Sequence, residues 1–143
     1  MGLALEAGRA AAAAGNVPVG AVVLLGDRVL ATRHNERRQT GDPTAHAEVL
    51  ALRDAAGALD TWHLDDTTLV TTLEPCLMCA GAAVVARVRR VVFGAFDPKA
   101  GAAGSLYNVL VDPRLNHQCD VAGGIRAEEC GELLSRFFAD RRS

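Results

Sequence analysis

The spacing of apolar and polar positions divides the chain into segments that change period several times. Residues 3–14 are alanine-rich and end at Gly15-Asn16, which predicts a helix followed by its stop signal. Val19 to Leu25 is rich in β-branched and aliphatic residues, Gly26-Asp27 reverses the chain, and Arg28 to Thr32 continues as a second strand of a hairpin. A polar loop follows from Arg33 to Gly41. Asp42-Pro43 matches an N-cap with proline in the first helical position, and predicts a helix running to about Ala56, before Gly57. Thr67 to Thr72 reads as a third strand. Pro75 opens a helix over Cys76 to Ala86, whose Ala82, Ala83 and Val85 suit packing on a sheet. Arg90 to Gly94 is a fourth strand of buried character. A Gly/Ala loop, Ala100 to Ser105, leads to a short helix near Leu106–Leu110, a short strand around Gln118 to Val121 and a final helix over Ala127 to Asp140.

Strands alternating with helices predict an α/β fold in three layers, α/β/α, around a central mixed five-stranded sheet. A strand–helix–strand order requires a right-handed crossover, which limits the topologies open to it. No internal repeat, linker or break in composition interrupts the 143 residues, so 1–143 is read as a single domain. Half of the residues are hydrophobic and the net charge is only −2, a balance that can offset the entropy of ordering and excludes a disordered chain. It also excludes a polybasic coat, so any nucleic-acid contact must be a local patch. Met1 to Ala14 carries Glu6 and Arg9 inside its apolar run, unlike a secretory signal. The longest apolar run, Val17 to Leu25, is broken by Pro18 and Gly20 and too short to span a bilayer. These features read as a soluble cytoplasmic protein, with no membrane partner expected.

Two clusters carry chemistry. His46-Ala47-Glu48 lies at the start of one predicted helix, and Pro75-Cys76-Leu77-Met78-Cys79 at the start of the next. Outside a secreted context, the Cys-x-x-Cys pair reads as a metal or a redox site, and its local spacing alone does not separate the two. One His with two Cys is a good ligand set for Zn²⁺, which accepts imidazole and thiolate. Cys76 and Cys79 stand i, i+3 on one helical face, and the first turn of a helix favours thiolates. Three protein ligands leave a position open for water, the pattern of a catalytic rather than a closed site. Glu48, beside such a water and not bound to the metal, is placed to carry a proton to a substrate nitrogen. On an ideal helix, however, His46 and Glu48 point about 200° apart, so they share a site only if it wraps around the helix mouth.

The chain resembles the zinc-dependent nucleobase and nucleoside deaminases of the cytidine deaminase superfamily, on His46-Ala47-Glu48 followed by Pro75-Cys76-Leu77-Met78-Cys79. Further segments are similar to bacterial tRNA adenosine deaminases: Asn16 to Ala21, Asp42 to Glu48, Thr72 to Ala82, Arg90 to Ala95, Lys99 to Ser105, Leu115 to His117 and Leu133 to Phe138. The resemblance implies hydrolytic deamination of adenosine to inosine at the wobble position of a tRNA anticodon, with an arginine-accepting tRNA expected and ammonia released. It implies one Zn²⁺ per chain held by His46, Cys76 and Cys79, Glu48 as proton shuttle, and a homodimer. Asn35 would hydrogen-bond the flipped nucleotide, and the backbone around Ala47 and Glu74 would help position the base. A tRNA anticodon stem-loop is the expected partner, and no DNA.

Charge is distributed unevenly. Residues 1–74 hold 6 Arg and 10 acids, whereas residues 75–143 hold 8 Arg, 1 Lys and 7 acids. Arg136, Arg141 and Arg142 cluster near Phe137 and Phe138, which could supply the stacking and phosphate contacts that RNA loops require. Phe138 is the candidate base platform, although a Phe-Phe pair on a terminal helix is more often core or dimer contact. Lys99, in a loop of small residues, is the better phosphate candidate. Cys119 and Cys130 read as ordinary thiols, His63 as a turn residue, and His34 and His117 as neighbours the site could recruit. No Walker A loop, GxGxxG or GxSxG supports nucleotide hydrolysis or a serine esterase. Two other readings remain: a deaminase of a free base such as guanine or cytosine, which would share the zinc residues, and a zinc-stabilised RNA-binding module. The second needs a fourth protein ligand, from Cys119, Cys130 or a further His, and leaves Glu48 without a purpose.

Overall fold

The computed structural model describes residues 1–142. Ser143, and the side chain of Arg142 that was read with the C-terminal arginine cluster, lie outside the described residues. The elements in chain order are α1 (Gly2–Ala13), β1 (Gly20–Leu25), β2 (Arg28–His34), α2 (Arg37–Thr40), α3 (Ala47–Leu59), β3 (Thr67–Leu73), α4 (Leu77–Val85), β4 (Arg90–Ala95), β5 (Asp120–Ala122) and α5 (Ala127–Arg142). The five strands form one mixed sheet in the order β2-β1-β3-β4-β5. β1 is antiparallel to β2 and β3, while β3, β4 and β5 run parallel.

Side chains alternate across the sheet, as the strand period requires. Ala21, Val23, Leu69, Val91 and Phe93 enter the main core with Ala47, Ala51, Ala55, Ala80 and Ala83 of α3 and α4. Val22 and Val70 point to the other face, where Ala4 of α1 covers them. Cys130 of α5 joins Leu5 and Ala95 there. Three layers result. Small residues let the helices approach closely: a Cβ on Gly20 would stand 1.9 Å from the Ala4 carbonyl oxygen, and one on Gly94 would stand 2.3 Å from Cys130 Sγ.

Three sequence expectations are corrected. The helix expected from Pro43 starts only at Ala47 and continues through Gly57 to Leu59. Asp42 caps a turn instead, its Oδ1 accepting from the Thr44 N–H at 2.9 Å and hydroxyl at 2.8 Å, while the Glu36 N–H donates to the Ala45 carbonyl and holds the strand-like approach to His46. The polar loop of residues 33–41 contains the end of β2 and the four-residue helix α2. No helix forms at 106–110. The Leu106 and Tyr107 N–H groups both donate to the Gly101 carbonyl, and Ala103 bridges Asn108, so this stretch folds back on the preceding loop. None of the described helices is long and apolar enough to cross a membrane.

Candidate active site

The parallel strands β3 and β4 deliver their carboxyl ends to one place, the usual crevice of an open α/β sheet. There the N-termini of α3 and α4 meet. His46 is the N-cap of α3, with extended backbone (φ −74°, ψ 146°), and Cys76 is the N-cap of α4 (φ −73°, ψ 176°). Because His46 lies outside the helical spiral, the opposition between it and Glu48 on an ideal helix does not apply. The imidazole leaves the helix mouth in its own direction while Glu48 projects from the first turn.

His46 Nδ1 stands 3.5 Å from Cys76 Sγ and 3.4 Å from Cys79 Sγ. Among the described residues, these three form the cluster of His, Cys and acidic groups whose donor atoms lie within 4.8 Å of one another. Tetrahedral zinc with bonds of about 2.0–2.1 Å to nitrogen and 2.3 Å to sulfur sets those atoms roughly 3.6 Å apart. The donor set and its spacing therefore fit zinc. The Cys79 thiol donates to Cys76 and, with His46 beside it, lowers the Cys76 pKa to about 4, while Cys79 is pushed upward by the same hydrogen bond and by burial. The hydrogen bond with Cys76 raises the His46 pKa against the effect of burial. A cation bound by all three groups would displace these protons.

Glu48 is 4% exposed. Burial raises its carboxyl pKa to about 7, opposed by its own backbone N–H and by the neighbouring imidazole. A carboxyl that both takes and gives a proton near neutrality suits general acid–base work. It borders a cavity of about 210 Å³, lined also by Asn35, Arg37, Asp97 and Ala100. Asn35 Oδ1 accepts from the Arg37 N–H at 2.9 Å, which fixes the amide so that its NH₂ is the group left for a ligand. A wider groove of about 460 Å³ shares Asn35 and Arg37 with this cavity and extends to Arg38, Phe138 and Arg141.

The structure thus brings His46, Glu48, Cys76, Cys79 and Asn35 together. Ala47 is the first residue of α3, where N–H groups lack intrahelical partners. Glu74 borders the cavity, but its carboxylate is turned into the 97–105 loop and its own N–H donates to the Ala95 carbonyl. Lys99 is exposed, one residue before Ala100, and does not line the cavity. Phe137 is buried with Arg141 stacked 4.2 Å over its ring, whereas Phe138 is 43% exposed along the groove. His34 binds the Asn35 carbonyl, and His117 binds the Val88 carbonyl on another part of the surface. Cys119 and Cys130 are buried away from the cluster. The sequence reading missed Arg37, Arg38 and Asp97. The paired arginines just after Asn35 were the available signal for the first two.

Residues 1–95 match the family described as the cytidine and deoxycytidylate deaminase zinc-binding region. The chain belongs to this zinc-binding deaminase family. Among its relatives, it is 48% identical over 139 residues to a tRNA-specific adenosine deaminase of Bacillus subtilis, covering 97% of this chain and 86% of that protein. It is 46% identical over 143 residues to the tRNA-specific adenosine deaminase of Haemophilus influenzae, covering 99% and 83%. A solved structure of a tRNA:A34 deaminase, described for A-to-I editing at the wobble position of transfer RNA, superposes with a TM-score of 0.90 at 43% identity, covering 94% of this chain and 97% of that one. A guanine deaminase from Nitrosomonas europaea superposes at 0.82 with 30% identity, covering 96% and 82%.

Proposed function

We infer that this chain hydrolyses the 6-amino group of adenosine at the wobble position of a tRNA anticodon, giving inosine and ammonia, with an arginine-accepting tRNA as the expected substrate. The observation that carries the reading is the continuity between a cavity sized for one base, with the His46, Cys76 and Cys79 donors and buried Glu48 at its wall, and a groove bearing Arg37, Arg38 and exposed Phe138. An enzyme that works on a base within a folded RNA needs both, because the base must leave its stack and its neighbours must be held outside. The relatives named as tRNA-specific adenosine deaminases, at 46–48% identity, support the same substrate.

In this reading His46, Cys76 and Cys79 hold one Zn²⁺. Bound there, zinc would supply an acidified water, its pKa lowered to roughly 7. Glu48 takes one proton of the attacking water and delivers it to N1 of the adenine ring. It then takes the remaining water proton from the new C6 hydroxyl and passes it to the amine, which leaves as ammonia as the C6–N bond breaks and the C6 carbonyl forms. Asn35 directs its NH₂ at the extruded nucleotide, while the Ala47 N–H at the mouth of α3 and the backbone at Glu74 help align the base. Arg37, which lines the cavity, and Lys99, exposed on the adjoining loop, attract phosphates, and Phe138 stacks on a flanking base. The chain acts in the cytoplasm, where tRNA is met, as a homodimer through the side of α4 that exposes Leu77, Met78 and Val85.

Deamination of free guanine is the second reading, favoured by the guanine deaminase superposition. The two separate on substrate. A synthetic anticodon stem-loop with A at the wobble position should be converted, with free adenosine and free guanine left intact. Turnover of guanine with an untouched stem-loop would replace the first reading by the second.

A further inference from the structure

Glu74 is buried, 1% exposed, yet no cation faces it among the ion pairs of the described residues. Its carboxylate is instead saturated by one loop. Oε1 accepts from the Asp97 N–H at 2.9 Å and from the Ser105 hydroxyl; Oε2 accepts from the Ala103 and Ser105 N–H groups, each at 3.0 Å. The donors span residues 97–105, so one side chain gathers both ends and the middle of the loop. Two backbone contacts fasten the same loop to the segment after Glu74: the Ala102 N–H donates to the Pro75 carbonyl, and Gly101 bridges Cys76. A Cβ on Gly101 would lie 2.3 Å from the Glu74 carboxyl carbon and 2.4–2.5 Å from its oxygens, so the loop backbone rests directly on the carboxylate. Asp97 and Ala100, both within that span, line the cavity that also contains Glu48.

We propose that Glu74 is a positioning residue for substrate: its carboxylate fixes the 97–105 loop as a wall of the nucleotide cavity, so that the cavity is shaped before RNA arrives. The assignment rests on the deaminase reading for its consequence in turnover, but not for the loop geometry. Each oxygen serves two donors, so an amide cannot substitute. In glutamine one of the two positions becomes an NH₂ that faces N–H or O–H donors. An unshaped wall lowers productive binding while leaving the ion ligands and Glu48 in place. The effect should therefore appear in KM rather than kcat.

The test compares wild type with Glu74→Gln, Ser105→Ala and Gly101→Ala, each loaded with zinc. Zinc content should stay at one per chain in all four. Amide exchange at Asp97, Ala103 and Ser105 should be at least about tenfold faster in Glu74→Gln, with intact protection elsewhere. KM for the anticodon stem-loop should rise about tenfold or more while kcat changes less than about threefold, and Glu74→Asp should recover part of the loss. Ser105→Ala, which removes only the hydroxyl contact and keeps the backbone N–H at 105, should show the same split more weakly. If Glu74→Gln does not fold, the Ser105 and Gly101 variants must show the KM and exchange effects, or the proposal is wrong. Loop protection and KM both unchanged in a folded variant, or a loss falling on kcat or zinc content instead, overturn it. A wild-type protein inactive on RNA but with Glu74-dependent loop protection would refute the substrate reading and the KM assignment, leaving the loop anchor itself standing.

Discussion

At the scale of single residues, the chemistry was the most legible part of the sequence. His46, Glu48, Cys76 and Cys79 have few structural uses in such spacing, and the structure sets three of them within 4.8 Å of one another. What the sequence did not reveal was direction. A helical wheel puts His46 and Glu48 on opposite sides, because periodicity cannot tell an N-cap residue from the first residue of the helix; the extended backbone at His46 removes the conflict. Cys76→Ala should lower bound zinc well below one per chain, measured by elemental analysis after dialysis. The groove was less legible, since exposed arginines usually serve solvation. Removing the Arg37 side chain should weaken stem-loop binding and reduce the slope of log K against log salt by about 0.7, the value for one phosphate contact on a single strand. Phe138→Ala should weaken binding by about 1–3 kcal/mol if a base stacks there. An unchanged affinity would return Phe138 to plain surface.

At the scale of elements, the strands were read with small errors in length. Their apolar alternation follows directly from which face meets which helix. The loops were harder. Residues 106–110 read as a short helix, but the N–H groups of Leu106, Tyr107 and Val109 are taken by the Gly101 and Ala102 carbonyls five to seven residues back, a pairing outside the helical i to i−4 pattern that local propensity does not register. Asp42-Pro43 resembled a helix start, and the carboxylate was instead used within a turn by Thr44. Helix docking also depends on residues that look incidental in sequence. Gly20 lets α1 lie on β1 with no room for a methyl group. Gly20→Ala should therefore destabilise the fold by about 1–3 kcal/mol or more, seen as a lower urea midpoint with unchanged slope. Gly26→Ala, in a turn with nothing within 4 Å but at φ +58°, should be affected by backbone strain alone.

At the scale of the whole molecule, the three-layer architecture places two helix N-termini over the ends of parallel strands, and the site follows from that topology. The order of strands and helices predicted the layers; it could not predict that the 97–105 loop would be gathered onto Glu74, because those partners are separated by 23 to 31 residues. Nor does composition disclose association. The exposed apolar side of α4 predicts a dimer by sedimentation, with Val85→Asp shifting it toward monomer; a monomeric wild type at micromolar concentration would remove that part of the account.

The central claim is that a three-donor metal site leaves hydrolysis to a water whose protons Glu48 moves. Single-turnover inosine formation on the wobble-adenosine stem-loop, by zinc-loaded wild type and zinc-loaded Glu48→Ala side by side, tests it most directly. The account predicts equal zinc in both proteins and a rate about 10²–10⁴-fold lower in the variant. A Glu48→Ala protein that retains zinc and forms inosine at near the wild-type rate would contradict it.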